Sequence, residues 1–233
     1  MRPGVLAVED RLAGRLAEEF KAHIAHASFP CVGAKSALAK DLLDIVIAFD
    51  MRSAWDDLRI HDQLIGWAEN YRDDPAGLRS IAVIFSQPSS LDENGFEQLL
   101  WERLQSFAEK DNWLGQPYDP AVSPDPADPH FSLSFGGQAY FVVGLHPAAS
   151  RPARRFSHPV MVFNLHDQFE KLRAGGRYER MRDAILERDR QLAGDINPML
   201  ARHGESSEAR QYSARMVGDD WECPFRDPRL ERE

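Results

Sequence analysis

Histidine and arginine residues stand close together in the stretch LHPAASRPARRFSHP at residues 145–159. His146 ends a strongly apolar run, and Pro147 stops a β-ladder after it because proline has no N–H to donate. By strand alternation His146 shares a face with Gly144, and a strand glycine often marks the close approach of a ligand or of another backbone segment. We therefore expect a gap beside the imidazole ring.

A cluster of arginines follows His146 in the same loop. Arg151, Arg154 and Arg155 supply guanidinium groups, which bind carboxylates and phosphates through paired hydrogen bonds. An imidazole beside a gap, with cations nearby, suits a haem, whose iron takes an axial ligand and whose propionates pair with cations. An ordinary strand-end histidine beside a solvated basic loop explains the same residues, so both interpretations stay open.

Other residues offer weaker signals. His23 and His26 are three apart on a predicted helix and could share one face toward a metal ion. The Cys31 thiolate could bind haem iron, and His166 could do so in place of His146. A polar, irregular C-terminal run is a further candidate because irregular segments often carry function. Its polar residues are Asn197, Glu205, Glu208, Arg210, Gln211, Tyr212 and Arg215.

The composition excludes several classes of protein. The chain of 233 residues carries 28 Lys and Arg against 37 Asp and Glu, a net charge of −9, and such a chain lacks the basic footprint of a nucleic-acid or membrane-surface binder. Cys31 and Cys223 are far apart and form no CxxC pair, which argues against a zinc ribbon or a disulfide framework. The polar N-terminal run does not resemble a signal peptide. We expect a cytoplasmic protein.

The sequence also lacks common cofactor and nucleophile motifs. It contains no GxGxxG after a strand, no GxxxxGK[ST] and no GxSxG, so dinucleotide, P-loop and serine-hydrolase chemistry has no support. Electrons for any redox reaction must therefore come from an external donor.

Apolar periodicity predicts the elements that position these residues. Strands are predicted at 44–50, 80–87, 131–135, 138–145 and 159–164. Helices are predicted at 12–24, 53–71, 91–111, 167–174 and 178–193. Gly136 and Gly137 predict a two-residue hairpin turn, Asp92 or Asn94 an N-cap, and Asp167 with Glu170 a capping box. We expect one α+β domain over 1–233, with a mostly antiparallel sheet of about five strands covered by helices.

Six motifs in this order resemble the YqcI/YcgG family. They are FPCVGA at 29–34, GLHPAASRPARRF at 144–156, VFNLHDQFEKLR at 162–173, RDRQLAGDINPML at 188–200, GESSEARQYSAR at 204–215 and WECPF at 221–225. Together they extend over nearly the whole chain, and several motifs in one order are more specific than any one of them. The resemblance places a glycine at position 214, where this chain has Ala214, and the extra methyl group is expected to narrow a site.

The resemblance implies a haem-dependent enzyme, because family members with assigned activities include haem-dependent N-hydroxylases of guanidines. It implies haem b, O₂, an external electron donor and an arginine-like guanidine or amine as substrate. His146 is the first choice for the iron ligand and catalytic residue, with His166 and Cys31 behind it. The expected partners of the haem propionates are Arg151, Arg154 and Arg155.

A guanidinium substrate requires a carboxylate in a dry pocket, because an unpaired buried charge is very unfavourable. Glu205 and Glu208 are expected to supply it, with Asn197 and Tyr212 as neighbours. Two alternatives remain: a haem-binding sensor or carrier without turnover, and a small-molecule-binding or scaffold protein without haem. The sequence leaves the oligomeric state open, with a homodimer as one option.

Overall fold

A five-stranded sheet forms the centre of the fold in a computed structural model that describes residues 3–75, 77–202 and 204–230. The strands are β1 (Leu43–Asp50), β2 (Ser80–Gln87), β3 (Leu133–Phe135), β4 (Gln138–Leu145) and β5 (Val160–Leu165). Their order across the sheet is β1-β2-β5-β4-β3, with β1 and β2 parallel and the other neighbours antiparallel. This confirms the predicted α+β class and the mostly antiparallel sheet. Residues 1, 2 and 231–233 of the predicted domain lie outside the described residues.

Helices cover both faces of the sheet. The helices of the described residues are α1 (Pro3–Ala25), α2 (Val32–Ala39), α3 (Asp57–Asp73), α4 (Glu93–Trp113), α5 (His166–Ala174), α6 (Tyr178–Ala193) and α7 (Ala209–Tyr212). The parallel pair β1 and β2 needs a crossover connection, and α3 provides it. Among the described helices, none combines the length and the apolar character needed to cross a membrane.

Strand alternation separates the apolar core into two clusters. Val83 and Met161 face the larger cluster, which α3 and α4 complete with aromatic and aliphatic side chains. Ala82 and Val160, each one residue away, face the smaller cluster with α1. Both faces of β2 are therefore buried, which explains its continuous apolar sequence.

The hairpin between β3 and β4 has the predicted turn. Gly136 and Gly137 have φ values of 59° and 71°, the left-handed conformation that a two-residue hairpin of this kind requires. Because β3 pairs only with residues 138–140, the remainder of β4 has an outer edge without a strand partner among the described residues. The loop after β4 and α7 pack there, and the Arg154 guanidinium donates to the Gly144 carbonyl over 3.1 Å.

The two predicted helix starts have different outcomes. Asp92 caps α4, since its Oδ1 accepts a hydrogen bond from the Gly95 N–H over 2.8 Å. The capping box at Asp167 is wrong, because α5 already begins at His166 and Asp167 lies within its first turn. The Asp167 carboxylate instead accepts from the Tyr71 hydroxyl over 2.7 Å and pairs with Lys171. Asp167 therefore bonds to Tyr71 and Lys171 instead of capping the helix.

Candidate functional site

A cavity of about 280 Å³ lies between the sheet and the helices α1, α2 and α6. Its walls are mainly apolar, and its polar side chains include Cys31, Arg154 and Glu208. Apolar walls include Phe20, Ile24, Phe29, Leu43, Phe141, Val143, Val162, Met181, Ile185 and Leu186. A mostly apolar cavity with a few convergent polar groups is the usual form of a small-molecule site.

The cavity brings together six of the ten residues predicted to bind the cofactor or the substrate. They are Cys31, Arg151, Arg154, His166, Asn197 and Glu208. The other four selected residues lie elsewhere: His146, Arg155, Glu205 and Tyr212 are outside the cavity lining. The spacing of these residues in the sequence does not show which of them meet in the folded protein.

His146 is buried against α4 rather than beside the cavity. Its ring stacks on Phe96 with centroids 4.5 Å apart. The expected gap at Gly144 is filled, because a Cβ atom there would lie 2.6 Å from a Phe96 ring carbon and 2.7 Å from the Tyr212 carbonyl oxygen. Among the residues that the structure describes, neither ring nitrogen has a hydrogen-bond partner. Burial lowers the pKa of His146 and favours the neutral ring.

The arginines occupy three different environments. Arg151 is buried and pairs with Asp189 of α6 and with Asp195, while its Nε has no acceptor within the described part of the chain. Arg154 donates to backbone carbonyls, and burial lowers the pKa of its guanidinium to about 10. Arg155 is exposed and donates to carbonyls of its own loop, which places it outside the expected anion site.

Cys31 lies at the cavity wall where α2 begins. Its Sγ accepts a hydrogen bond from the Ala34 N–H over 3.4 Å, so the thiol occupies the N-cap position of the helix. Burial raises the pKa of the thiol, whereas the backbone hydrogen bonds and the charge of Arg154 act in the opposite direction. A helix N-terminus and a nearby cation are the features that stabilise a thiolate. The segment FPC before the helix was the sequence signal for this position.

Glu208 brings a buried carboxylate to the other polar region of the cavity. Its Oε2 accepts from the Ser132 hydroxyl over 2.6 Å and from the Tyr212 hydroxyl over 3.3 Å. His166 lies nearby, with Nδ1 3.8 Å from Oε1 of Glu208. Tyr212 does not line the cavity but holds Glu208 in place through this hydrogen bond. Burial raises the pKa of the Tyr212 phenol. Glu205, by contrast, is exposed and pairs with Arg202.

Sequence reasoning missed two residues that hold this site. Ser132 is fully buried in the segment before β3, and Asp189 is the buried partner of Arg151. Asp189 lies inside the RDRQLAGDINPML motif, which was a signal that it has a specific position. Ser132 gave a weaker signal, a polar residue between the apolar neighbours of FSLSF.

The predicted histidine pair on α1 does not form a metal site. His23 packs against Phe29 and Phe156, and His26 Nδ1 lies 2.7 Å from the Ser28 hydroxyl. Across residues 3–75, 77–202 and 204–230, no group of three or more His, Cys, Asp or Glu side chains could hold a metal ion.

The fold and the site define an α+β protein with a mainly apolar cavity that carries a thiol, guanidinium groups and a buried carboxylate. The chain belongs to the YqcI/YcgG family, whose model matches residues 20–226. The matched range includes every lining residue of the cavity. Neither a curated protein nor a solved structure matches the chain.

Proposed function

We propose that this protein is a haem-dependent oxygenase that N-hydroxylates a guanidine or an amine. The observation that carries the proposal is the convergence in one cavity of the Cys31 thiol, the Arg151 and Arg154 guanidinium groups and the Glu208 carboxylate. The thiol can hold iron, the guanidinium groups can hold the haem propionates, and the carboxylate can hold a cationic substrate. An external donor supplies electrons, and two free cysteines in the described residues fit a cytoplasmic protein.

The lining residues fit a haem in their chemistry. Cys31 is the proposed iron ligand, because thiolate is an established haem ligand and Cys31 lies in the cavity wall at the start of α2. Burial raises the pKa of the free thiol, and the helix N-terminus and the charge of Arg154 act against that rise. Arg151 and Arg154 are the proposed propionate partners, and the Nε of Arg151 is a buried donor that has no acceptor among the described residues. The ring of His146 is stacked on Phe96 and does not line the cavity, so His146 is not the proposed iron ligand. His166 already has carboxylate and hydroxyl partners.

Glu208 is the proposed partner of the substrate cation. Its side chain is 7% exposed, and a guanidinium group that enters this environment needs a carboxylate because an unpaired buried charge is strongly unfavourable. Ser132 and Tyr212 hold the carboxylate in place through hydrogen bonds. Asn197 lines the same cavity, but its side-chain oxygen is used by the Met199 N–H over 3.0 Å.

Haem, when bound, supplies O₂ activation and the transfer of one oxygen atom to the substrate nitrogen. The roles of this chain are to bind and orient. Apolar walls from α1, α6 and the sheet exclude water, and Glu208 directs one nitrogen of the cation into the cavity. Cys31 and Glu208 come from different ends of the chain, which fixes the reacting groups relative to one another only in the folded protein.

A haem-binding sensor or carrier without turnover is the second candidate. The cavity volume of about 280 Å³ lies just below the roughly 300–1,000 Å³ of typical small-molecule sites. Haem alone is larger than this volume, so part of it would extend beyond the cavity in either candidate. A sensor or carrier needs the iron ligand and the propionate partners but no substrate carboxylate, so consumption of a guanidine distinguishes the two candidates.

Reconstitution with haem followed by a turnover assay tests the proposal. We expect stoichiometric haem uptake and, with a reductant and O₂, loss of a guanidine such as L-arginine together with formation of its N-hydroxy product. Haem uptake without consumption of any of a panel of guanidines and amines would support the sensor. A protein that stays colourless with excess haem would contradict both candidates.

A further inference from the structure

We propose that Glu170, His166, Ser132 and Glu208 form a proton-exchange path between solvent and the cavity. The inference deepens the proposed function and rests on it, because it assigns the residues that supply protons to that reaction. N-hydroxylation by O₂ follows R–NH₂ + O₂ + two electrons + two protons → R–NHOH + H₂O. The external donor supplies the electrons, whereas the protons must reach a cavity with mainly apolar walls.

The outer half of the path connects solvent to the imidazole of His166. Glu170 has a half-exposed side chain, and its Oε1 lies 3.1 Å from Nε2 of His166. The two residues are one turn apart on α5, the spacing that places side chains on the same face of a helix. Arg173 also pairs with Glu170, so this carboxylate is fixed at the surface.

The inner half of the path connects the imidazole to the cavity. The Ser132 hydroxyl lies 3.4 Å from Nδ1 of His166 and donates to Oε2 of Glu208 over 2.6 Å. The direct separation between His166 Nδ1 and Glu208 is 3.8 Å, so Ser132 provides the shorter route. Both His166 and Glu208 line the cavity.

Each proton moves between named atoms. Glu170 takes a proton from water and passes it to Nε2 of His166. As it arrives, the Nδ1 proton of the ring passes to Ser132 Oγ and the Ser132 proton passes to Glu208 Oε2. The ring then exchanges its tautomer, as every imidazole shuttle does, and the path is restored. Glu208 passes each proton on into the cavity and so returns to the carboxylate that pairs with the substrate cation. The two protons delivered per turnover end in the water that the reaction forms.

Several charged groups face the imidazole and set its ionisation. Glu170 and Asp167 lie on its own helix, and Glu208 faces it from the segment before α7. These carboxylates favour the protonated ring, and Arg173 opposes them through its pair with Glu170.

Exchange of the His166 ring N–H with water, measured by ¹⁵N NMR on the haem-free protein, tests the outer half. His166→Gln assigns the signal among the eight histidines. We expect Glu170→Gln to slow the exchange at least tenfold, because general acid–base catalysis by a positioned carboxylate is typically worth more than that. Glu187→Gln, the same change at an exposed acid of α6 that pairs with Arg190, should leave the rate unchanged. An unchanged rate in Glu170→Gln would overturn the path.

Oxygen reduction by the haem-loaded protein tests the whole path. With ascorbate and a redox mediator, we expect Glu170→Gln to slow O₂ consumption and to raise the rate ratio between H₂O and D₂O, with no change in haem uptake. Wild-type rates and isotope effects in this variant would overturn the path and leave the proposed function standing. Failure of the wild type to take up haem would remove the proposed function, while the NMR result would still report on the outer half.

Discussion

The imidazole ring of His146 lies nearly parallel to the phenyl ring of Phe96, with centroids 4.5 Å apart and ring planes 23° apart. This contact places His146 in the core next to α4, although it is adjacent in sequence to a loop that reaches the cavity. Because His146 does not line the cavity and Cys31 does, Cys31 is the proposed iron ligand. The contact with Phe96 also explains Gly144, whose missing side chain allows the Phe96 ring and the Tyr212 carbonyl to approach β4.

Replacement of His146 by phenylalanine should remove an acid-sensitive element from the core. Burial lowers the pKa of His146 in the folded protein below its unfolded value of about 6.5. As the pH falls through 6.5, the unfolded chain binds a proton here that the folded protein does not, so the free energy of unfolding decreases. We expect His146→Phe to be within about 1 kcal/mol of wild type at pH 7.5 and relatively more stable at pH 5.5. Urea unfolding at both pH values measures this, and an equal pH dependence in the two proteins would contradict it.

Ala214 has a φ of +70°, in the left-handed region. An L-residue there is strained by roughly 1–2 kcal/mol, and glycine is not. Because glycine also makes the unfolded chain more flexible, we expect Ala214→Gly to stabilise by about 0.5–1 kcal/mol. Ala37→Gly within α2 should instead destabilise by about 1 kcal/mol. Thermal unfolding of the two variants decides the sign at position 214. Ala214 does not line this cavity, and the expectation that its methyl group narrows a site stays a prediction.

The ion pair between Arg151 and Asp189 buries both side chains, each 7% exposed. Arg151→Ala leaves the aspartate charge buried without its partner, and we expect a loss of about 3–5 kcal/mol of stability. Arg155→Ala, in the same loop but exposed, should change stability by less than about 0.5 kcal/mol. Chemical denaturation of both variants tests this. Equal losses of unfolding free energy in the two variants would show that the buried ion pair contributes no more than an exposed arginine.

Glu208→Gln should weaken the binding of a guanidinium group. Replacing the buried carboxylate with an amide removes a charge-assisted interaction worth about 2 kcal/mol, which corresponds to an approximately thirty-fold loss of affinity. Calorimetry with methylguanidinium as the probe measures the loss. Glu205→Gln is the matched control, because Glu205 is exposed and pairs with Arg202. Equal affinities in the two variants would remove Glu208 from the site.

Local sequence signals predicted much of the fold. The glycine pair fixed the hairpin turn because both positions need positive φ, and Asp92 was identified as a cap because capping involves neighbouring residues. Strand β2 was predicted at its observed bounds, since a buried strand flanked by polar residues has a distinct pattern. The failed capping box at Asp167 shows the limit of this reasoning, because its partner Tyr71 is distant in the sequence.

The site was less predictable because its residues meet only in the tertiary structure. Alternation correctly placed His146 on the same face as Gly144, but it contains no information on what covers that face. The residue that covers His146 is Phe96, which lies in α4, much earlier in the chain. Cys31 and Glu208 are likewise far apart in the sequence and line the same cavity. Arg155 resembles Arg151 in the sequence, and only burial distinguishes them.

A haem titration followed by visible absorption, with Cys31→Ser and His146→Phe beside the wild type, tests the central claim most directly. We predict that the wild type binds one equivalent with a sharp Soret band, that His146→Phe gives the same spectrum, and that Cys31→Ser shifts or loses the band. A Soret band that is lost in His146→Phe and unchanged in Cys31→Ser would contradict the proposed ligand. No uptake by the wild type would contradict the haem-dependent function itself.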